Sequence, residues 1–242
     1  MTCEIFGILN VTPDSFSDGG QFLEEKKALA QAEKLFSEGA DYIDVGGQST
    51  RPGADEITSE EEWFRIKNVI KKMVEAYVYR ISLDTKNHET ARAFLKLGGK
   101  IINDVSGFQD ENMQNLAAKY QCLCIINHFP GKNIADVHEQ EICSINQVRD
   151  ELLTRKQQLL DAGVKSENII LDPGLGFGKT KDLNWELLKF PAFVPDEKVM
   201  IGHSRKRFLG EKRFEKETNQ KAAQIAIEAG ARYLRVHESF FL

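Results

Sequence analysis

The sequence predicts a single-domain α/β protein with the (β/α)8 barrel fold. Short apolar segments alternate with amphipathic segments along all 242 residues, which is the pattern of parallel strands joined by helices. Eight such apolar segments are present, and eight strand–helix units in about 250 residues match the size of this barrel. No linker or low-complexity segment divides the chain, so we expect one domain over residues 1–242. The predicted strands are residues 4–11, 42–47, 80–85, 100–105, 122–128, 169–174, 199–204 and 233–238.

The segments between these strands are predicted to be helices that end at glycine residues. Ser59 with Glu62, and Ser144 with Gln147, have the spacing of capping boxes at helix starts. An open, doubly wound sheet is the alternative fold, but the glycine-rich fingerprint of dinucleotide-binding sheets does not follow the first strand. Left-handed helix ends are predicted at Gly39, Gly98, Gly163 and Gly230.

Composition and charge exclude several classes of function. The chain has 32 Lys and Arg residues against 37 Asp and Glu residues, a net charge of −5, which disfavours broad binding to the phosphate backbone of nucleic acid. No segment approaches the ~18 apolar residues of a membrane span, and the first residues do not form a signal peptide. The four cysteines, Cys3, Cys122, Cys124 and Cys143, form no Cys-x-x-Cys pair. We therefore expect reduced thiols in a cytoplasmic protein that binds neither nucleic acid nor membranes.

Nearly every predicted strand ends in a hydrogen-bonding residue. Any one of them could be a turn former or a helix N-cap. In a barrel, however, these strand ends converge on one face, where the active sites of this fold lie. The residues are Asn10, Asp44, Asp84, Asn103, His128, Asp172, Ser204, Arg235 and His237.

The chemistry of these residues fits a ligand with a polar ring and an anionic group. Asp84, Asn103 and Asp172 match a planar heterocycle with an amino–amide edge, where a carboxylate accepts two parallel N–H bonds. Asn10 is a candidate oxygen ligand for Mg2+. For Arg235 and His237, which share one face of the last strand, solvated charges on an exposed terminal strand edge are the alternative interpretation. The cations that match an anion such as a diphosphate are Arg51, Arg205, Lys206, Arg235 and His237.

The glycine-rich segment at residues 172–180 has the sequence DPGLGFGKT. It lacks the glycine spacing of a P-loop, so a phosphate cradle is weakly supported. A loop held close to a flat ligand fits better, with Phe177 as an apolar wall and Phe16 as a second wall. Ordinary core packing is the alternative for both side chains. The irregular segment 129–143 is long enough to be a functional loop.

These motifs resemble those of the dihydropteroate synthase family of folate biosynthesis. The resemblance implies the (β/α)8 barrel and condensation of 6-hydroxymethyl-7,8-dihydropterin diphosphate with 4-aminobenzoate, giving dihydropteroate and pyrophosphate, with Mg2+ as cofactor. The matching segments, in family order, are residues 7–20, 44–54, 83–85, 102–107, 171–180, 202–210 and 235–238.

The resemblance also implies a role for each matching residue. The residues implied to hold the pterin are Asp84, Asn103, Asp172 and Lys206. Those implied at the diphosphate are Asn10, Thr50, Arg51, Arg235 and His237, with Asn10 also at the metal. Those implied to frame aminobenzoate are Phe16, Pro52, Phe177 and Lys206.

A mechanism in which diphosphate leaves first is consistent with these roles. Cations on the diphosphate stabilise the charge that develops there. Asp172 favours the positive charge left on the pterin, and the neutral arylamine then attacks without a strong base. The segments 12–21 and 47–55 have the composition of lids that order on binding.

The sequence also departs from the family pattern. Asn127–Gly131 replaces the usual Met-His-Met/Arg-Gln-Gly segment, and Gln48 stands where glutamate is common. The family implies a homodimer, but the chain ends four residues after Glu238, so we expect a weaker dimer. A methyltetrahydrofolate methyltransferase is one alternative function, although it has no use for Arg51 or for the Arg235–His237 pair. A pterin-binding homologue without catalysis is the other.

Overall fold

The structure is a computed structural model that describes residues 2–11, 20–48, 57–77, 79–131, 142 and 144–238. Eight parallel strands form one sheet in the order β6-β5-β4-β3-β2-β1-β8-β7. The two end strands meet through a parallel bridge between Leu171 and Val199, where the Leu171 N–H donates to the Lys198 carbonyl at 2.9 Å. This contact brings the sheet round into a nearly closed barrel, so the predicted fold is confirmed.

All eight predicted strands are present, each shorter than its predicted segment. The seventh is the shortest because its chain leaves the sheet after two residues. The strands are β1 (Glu4–Asn10), β2 (Tyr42–Gly46), β3 (Ile81–Asp84), β4 (Ile101–Asp104), β5 (Leu123–Asn127), β6 (Ile169–Asp172), β7 (Met200–Ile201) and β8 (Tyr233–Val236).

Helices follow the strands and cover the outside of the sheet. The four predicted glycine ends are confirmed, because Gly39, Gly98, Gly163 and Gly230 have φ values of 102°, 97°, 100° and 100°. At a φ near 100° a side chain would be strained, which explains glycine at these positions. The helices are α1 (Gly20–Ser37), α2 (Ser59–Tyr77), α3 (His88–Lys96), α4 (Glu111–Tyr120), α5 (Ile145–Asp161), α6 (Lys181–Leu187) and α7 (Lys216–Glu228).

Both predicted capping boxes are wrong. Ser144 is the N-cap of α5 but makes no side-chain cap hydrogen bond, and α2 is capped by Thr58, whose Oγ1 accepts from the Glu61 N–H at 3.2 Å. Glu62 is only 1% exposed and accepts from Thr85 Oγ1 at 2.8 Å and from an amide N–H of Asn87 at 2.9 Å. A buried carboxylate needs hydrogen-bond donors, and Thr85 and Asn87 supply them. Through these bonds Glu62 joins α2 to the loop after β3.

Alternating strand positions divide the buried side chains into two layers. One layer packs between the sheet and the helices, and the other fills the barrel interior with Phe6, Ile101, Ile125, Ile170, Met200 and Tyr233. Within the described residues, no helix is long and apolar enough to cross a membrane.

Candidate active site

A polar layer lies inside the barrel, directly above the apolar interior layer. Residues two positions apart on a strand face the same way. The strands that place Ile101, Ile125, Ile170 and Tyr233 in the interior therefore place a polar residue there two positions later. Those polar residues are Asn103, Asn127, Asp172 and Arg235, with Asp44 following Tyr42 in the same way. The site is thus built by strand periodicity at the carboxyl ends of the strands.

A chain of hydrogen bonds joins this layer across five strands, β8, β2, β3, β4 and β5. Arg235 donates from Nε to Asp44 Oδ2 and from an Nη to Asp84 Oδ2, both at 2.6 Å. Asn103 Nδ2 donates to the same Asp44 oxygen at 2.8 Å, and Asn127 Nδ2 donates to Asn103 Oδ1 at 2.7 Å. An acceptor on one side and a donor on the other therefore fix the orientation of the Asn103 amide, and two carboxylate acceptors fix the position of the Arg235 guanidinium.

The charges in this chain shift one another's pKa values. Burial raises the pKa of Asp84 to about 7, against the opposing effect of Arg235 and with a further contribution from the Asp44 carboxylate. Burial acts to lower the pKa of Arg235, but Asp44 and Asp84 outweigh it and raise that pKa above its ordinary value. Arg235 is therefore a permanent cation, and Asp84 is the member of this hydrogen-bonded chain that exchanges a proton near neutral pH.

Asp172 stands at the end of β6 with a second cation nearby. Its Oδ1 accepts from the Gly174 N–H at 2.8 Å, and Oδ2 borders the space that Gly202 leaves, 3.5 Å from where a Cβ would lie. Burial raises the pKa of Asp172, opposed by the Gly174 bond and by Lys206. Burial likewise lowers the pKa of Lys206 to about 8, with Arg235 adding to the effect and Asp172 opposing it. The pair thus combines a buried carboxylate whose pKa is raised with a buried ammonium whose pKa is lowered.

Aromatic side chains stand beside this pair. Phe177 and Phe129 pack edge to face with centroids 5.5 Å apart, and Lys206 Nζ lies 4.7 Å from the Phe177 centroid. We call Phe129 and Phe177 the aromatic wall. Gly174 permits this arrangement because a Cβ there would lie 2.2 Å from the His128 carbonyl oxygen. Phe129 packs against Val105 and Phe177 and so supplies an apolar surface in the segment that follows β5.

Two further predicted residues lie around this centre. His237 follows β8, and its N–H and Nδ1 lie 3.3 and 3.0 Å from Ser204 Oγ. Asn10 ends β1, and both its Oδ1 and Asp84 Oδ2 lie 3.6 Å from where a Cβ on Gly46 would stand. The structure therefore brings Asn10 to the space beside Asp84, while Arg205, another of the predicted cations, is instead paired with Glu238.

Several predicted positions lie outside the described residues. They are Phe16, Thr50, Arg51 and Pro52 in the two lid segments, most of the segment 129–143, and the last four residues. Of the four cysteines, Cys3, Cys122 and Cys124 are free thiols, and Cys122 Sγ lies 3.9 Å from Cys124 Sγ, as their spacing on one strand predicts.

Three side chains that organise the site have no role predicted from the sequence. Asp44 is predicted only as a polar strand end, yet it is 0% exposed and accepts hydrogen bonds from both Arg235 and Asn103. Asn127 begins the segment that departs from the family pattern, and Lys179 belongs to the glycine-rich segment 172–180, whose spacing supports a phosphate cradle only weakly. For Asp44 and Asn127 the signal was present, because each follows an interior apolar residue by two positions.

The donor set fits Mg2+ only as a partner of substrate oxygens. No cluster of three or more His, Cys, Asp or Glu side chains able to hold a metal occurs among the described residues. Mg2+ commonly uses one or two protein oxygens, keeps several waters and takes the remaining ligands from phosphates. Asn10, a half-buried amide oxygen beside Asp84, matches that limited protein contribution.

Comparisons with known proteins agree on one family. Residues 6–237 match the family described as pterin binding enzyme. A dihydropteroate synthase of Streptococcus pyogenes is 42% identical over 97% of this chain and 90% of its own length. The structure of a Xanthomonas albilineans dihydropteroate synthase with 4-aminobenzoic acid has a TM-score of 0.87 at 34% identity, covering 99% of this chain and 89% of its own. That of the Anaplasma phagocytophilum enzyme with 6-hydroxymethylpterin-monophosphate has a TM-score of 0.86 at 38% identity, covering 100% and 96%.

Proposed function

The chain belongs to the pterin-binding enzyme family, and we propose that it catalyses the dihydropteroate synthase reaction. It condenses 6-hydroxymethyl-7,8-dihydropterin diphosphate with 4-aminobenzoate and releases dihydropteroate and pyrophosphate. The observation that carries this function is the polar layer inside the barrel, in which carboxylates, amides and two cations face one enclosed space. Similar proteins bind a pterin phosphate or 4-aminobenzoic acid in the same fold.

The polar layer suits the pterin ring. Asp172 accepts hydrogen bonds from the amino–amide edge, because each carboxylate oxygen has more than one lone pair and Gly174 uses only one of them. Asn103 presents its amide in one orientation, set by Asp44 and Asn127. Asp84 completes the ring site, and Lys206 approaches from the side of Phe177.

The diphosphate is placed towards Asn10 and His237, with Thr50 and Arg51 supplied by the lid segment. Asn10 would hold Mg2+ beside the diphosphate, and the ion would neutralise part of the diphosphate charge when bound. The cations of the chain add to that neutralisation as the leaving oxygen takes up negative charge. Arg235 is held on Asp44 and Asp84, so its distance from the diphosphate is set by those carboxylates.

Departure of diphosphate precedes attack by the amine. The pterin methylene that remains is a cation conjugated with the ring, and the buried carboxylates Asp84 and Asp172 stabilise it. The neutral amine of aminobenzoate, packed beside Phe177 and Lys206, then forms the C–N bond. Because the electrophile is a cation, the amine needs no strong base, and its proton leaves after the bond has formed.

A steady-state assay with both substrates tests the function. Pyrophosphate and dihydropteroate should appear in equal amounts, and only when aminobenzoate is present at saturating pterin diphosphate. Binding of the pterin diphosphate without turnover would instead identify a non-catalytic pterin-binding protein. Methyl transfer from methyltetrahydrofolate to a corrinoid protein, with no pyrophosphate release, would identify a methyltransferase.

Two further properties are proposed alongside the reaction. We place the protein in the cytoplasm, since the neighbouring thiols of Cys122 and Cys124 are buried and reduced, as is usual there.

We also propose a homodimer that uses α7. Sedimentation at micromolar concentration should show the dimer, and a monomer alone would contradict it.

A further inference from the structure

Lys179 follows the glycine-rich loop and makes contacts that no phosphate site would make. Its Nζ donates to the carbonyl oxygens of Gly174 at 2.8 Å, of Phe177 at 2.9 Å and of His128 at 3.3 Å. An ammonium group has three N–H donors, so all of them are directed at the main chain. The side chain is partly exposed along its length, but its charged end is enclosed by these carbonyls.

The three carbonyls belong to two different loops. His128 follows β5 and directly precedes Phe129, while Gly174 and Phe177 lie in the loop after β6. The same two loops are joined by a main-chain bond from the His128 N–H to the Asp172 carbonyl at 2.8 Å. Lys179 therefore links both members of the aromatic wall through one charged group.

We propose that Lys179 is a positioning residue for aminobenzoate: its ammonium group ties the loop after β5 to the loop after β6 and so holds Phe129 and Phe177 in place. The inference rests on the proposed function, in which the aminobenzoate ring packs on Phe177. Lys179 acts through the wall and does not touch the substrate.

The other contacts of the loop show why the lysine matters. Asn184 on α6 accepts from the Gly176 N–H at 2.6 Å and donates to the carbonyls of Lys179 and Thr180 at 3.2 and 2.8 Å. These bonds fix the loop against its own helix but give no tie to the loop after β5. Two main-chain bonds already join the segments after β5 and β6, from the His128 N–H to the Asp172 carbonyl at 2.8 Å and from the Ile142 N–H to the Gly178 carbonyl at 2.7 Å. The ammonium adds a charged side-chain tie directly between the carbonyl that precedes Phe129 and the carbonyl of Phe177, and hydrogen bonds to a charged donor are stronger than neutral ones.

The charge of this group is itself sensitive to its surroundings. Burial lowers the pKa of Lys179 to about 7; Lys206 adds to the effect, while Asp172 and Glu151 oppose it. These groups face it from the loop after β7, the end of β6 and α5, and His128, after β5, pairs with Glu151 at 3.0 Å. A neutral amine has two N–H donors for three carbonyls, so loss of the proton weakens the tie.

The test compares Lys179→Met with Lys181→Met, a matched change at an exposed lysine two residues away. Removing the tie should raise the KM for aminobenzoate about 10-fold or more. The KM for the pterin diphosphate and kcat should change by less than about 3-fold, because Lys179 leaves the pterin site and the reacting atoms alone. Lys181→Met should behave as the unmodified enzyme. An unchanged aminobenzoate KM in Lys179→Met, or equal losses for both substrates, would overturn the inference.

A double-variant cycle with Phe177→Leu distinguishes positioning from general weakening. If Lys179 acts through the wall, the double variant should raise the aminobenzoate KM no further than the larger single effect. Effects that multiply would overturn the inference. An unchanged KM in Phe177→Leu alone would overturn the aminobenzoate site and the inference together, whereas a raised KM there with no effect of Lys179→Met would overturn the inference only.

A Lys179→Arg variant decides the matter if Lys179→Met proves too unstable to purify. Aminobenzoate does not titrate between pH 7 and 9, so its KM in the unmodified enzyme should rise over that range as the ammonium loses its proton. Lys206 titrates in both proteins, and Lys179→Arg keeps its charge throughout. The ratio of the two KM values should therefore change with pH, and parallel profiles would overturn the inference.

Discussion

Replacing Asp44 by asparagine should weaken both the barrel and the pterin site. The carboxylate is 0% exposed, and one oxygen accepts from Arg235 at 2.6 Å and from Asn103 at 2.8 Å. Breaking a buried ion pair by removing one partner costs about 3–5 kcal/mol. Arg235 keeps Asp84, and its side chain is 20% exposed, so we expect the free energy of unfolding to fall by less than that range, by about 2–3 kcal/mol.

Urea unfolding of Asp44→Asn measures that loss directly. Asp150→Asn is a suitable control, since Asp150 forms an exposed ion pair with Arg149, whose removal should cost less than about 0.5 kcal/mol. If Asp44→Asn unfolds within that same margin of the unmodified protein, the carboxylate does not support Arg235 as argued.

The same substitution carries a pH signature. The Asp44 charge helps to raise the pKa of Asp84 to about 7, so its removal should lower the pKa of Asp84. Calorimetric titration between pH 5 and 8 measures the affinity for the pterin diphosphate. The pH below which this affinity falls should be lower in Asp44→Asn than in the unmodified protein. If that pH does not move, Asp84 and Asp44 are not coupled through the site.

Four further outcomes follow from the site. Asp172→Asn keeps the shape of the side chain but removes its charge, so transition-state stabilisation measured from kcat/KM should fall by about 2–4 kcal/mol. An unchanged kcat/KM would contradict the proposed contact between Asp172 and the pterin ring. His237→Ala should weaken the pterin diphosphate far more than a pterin without diphosphate, and equal calorimetric losses would indicate a structural role. A sulfonamide should bind much more tightly once pyrophosphate and Mg2+ are present, and Arg51→Ala should remove that gain if the lid forms the site. Burial lowers the pKa of His203 to about 4. The stability that depends on its neutral form is therefore complete above pH ~6.5 and is lost as the pH falls from ~6.5 to 4. In His203→Gln the free energy of unfolding should change less with pH over this window.

Much of the fold and the outline of the site could be predicted from the sequence. Strand positions were visible because buried parallel strands are continuous apolar runs. The polar residues at their ends were visible because a charge or amide after such a run is conspicuous. Asp84, Asn103, Asp172 and Arg235 were found in this way, and the barrel brings all four together.

What could not be predicted depends on contacts between distant parts of the chain. Arg235 on β8 reaches Asp44 on β2 and Asp84 on β3, which requires the barrel to curve so that these strands face one another. The role of Lys179 depends in the same way on a loop 51 residues earlier. For Glu62 the local spacing predicts a helix cap, which is wrong. Its side chain instead accepts hydrogen bonds from Thr85 and Asn87, which lie after β3.

The charge balance of the polar layer explains why it suits a reaction that passes through a cation. Among the described residues, Asp44, Asp84 and Asp172 face the same space as Arg235 and Lys206, which leaves one negative charge in excess when all are ionised. In the protein without substrate, burial, with a further contribution from the Asp44 charge, raises the pKa of Asp84 to about 7, and protonation of Asp84 relieves that excess. A pterin that becomes positive as diphosphate departs relieves it as well, and then Asp84 stays ionised. The excess negative charge is therefore unfavourable in the free barrel but favourable when the C–O bond breaks. A site with this property stabilises the transition state more than the ground state, as catalysis requires.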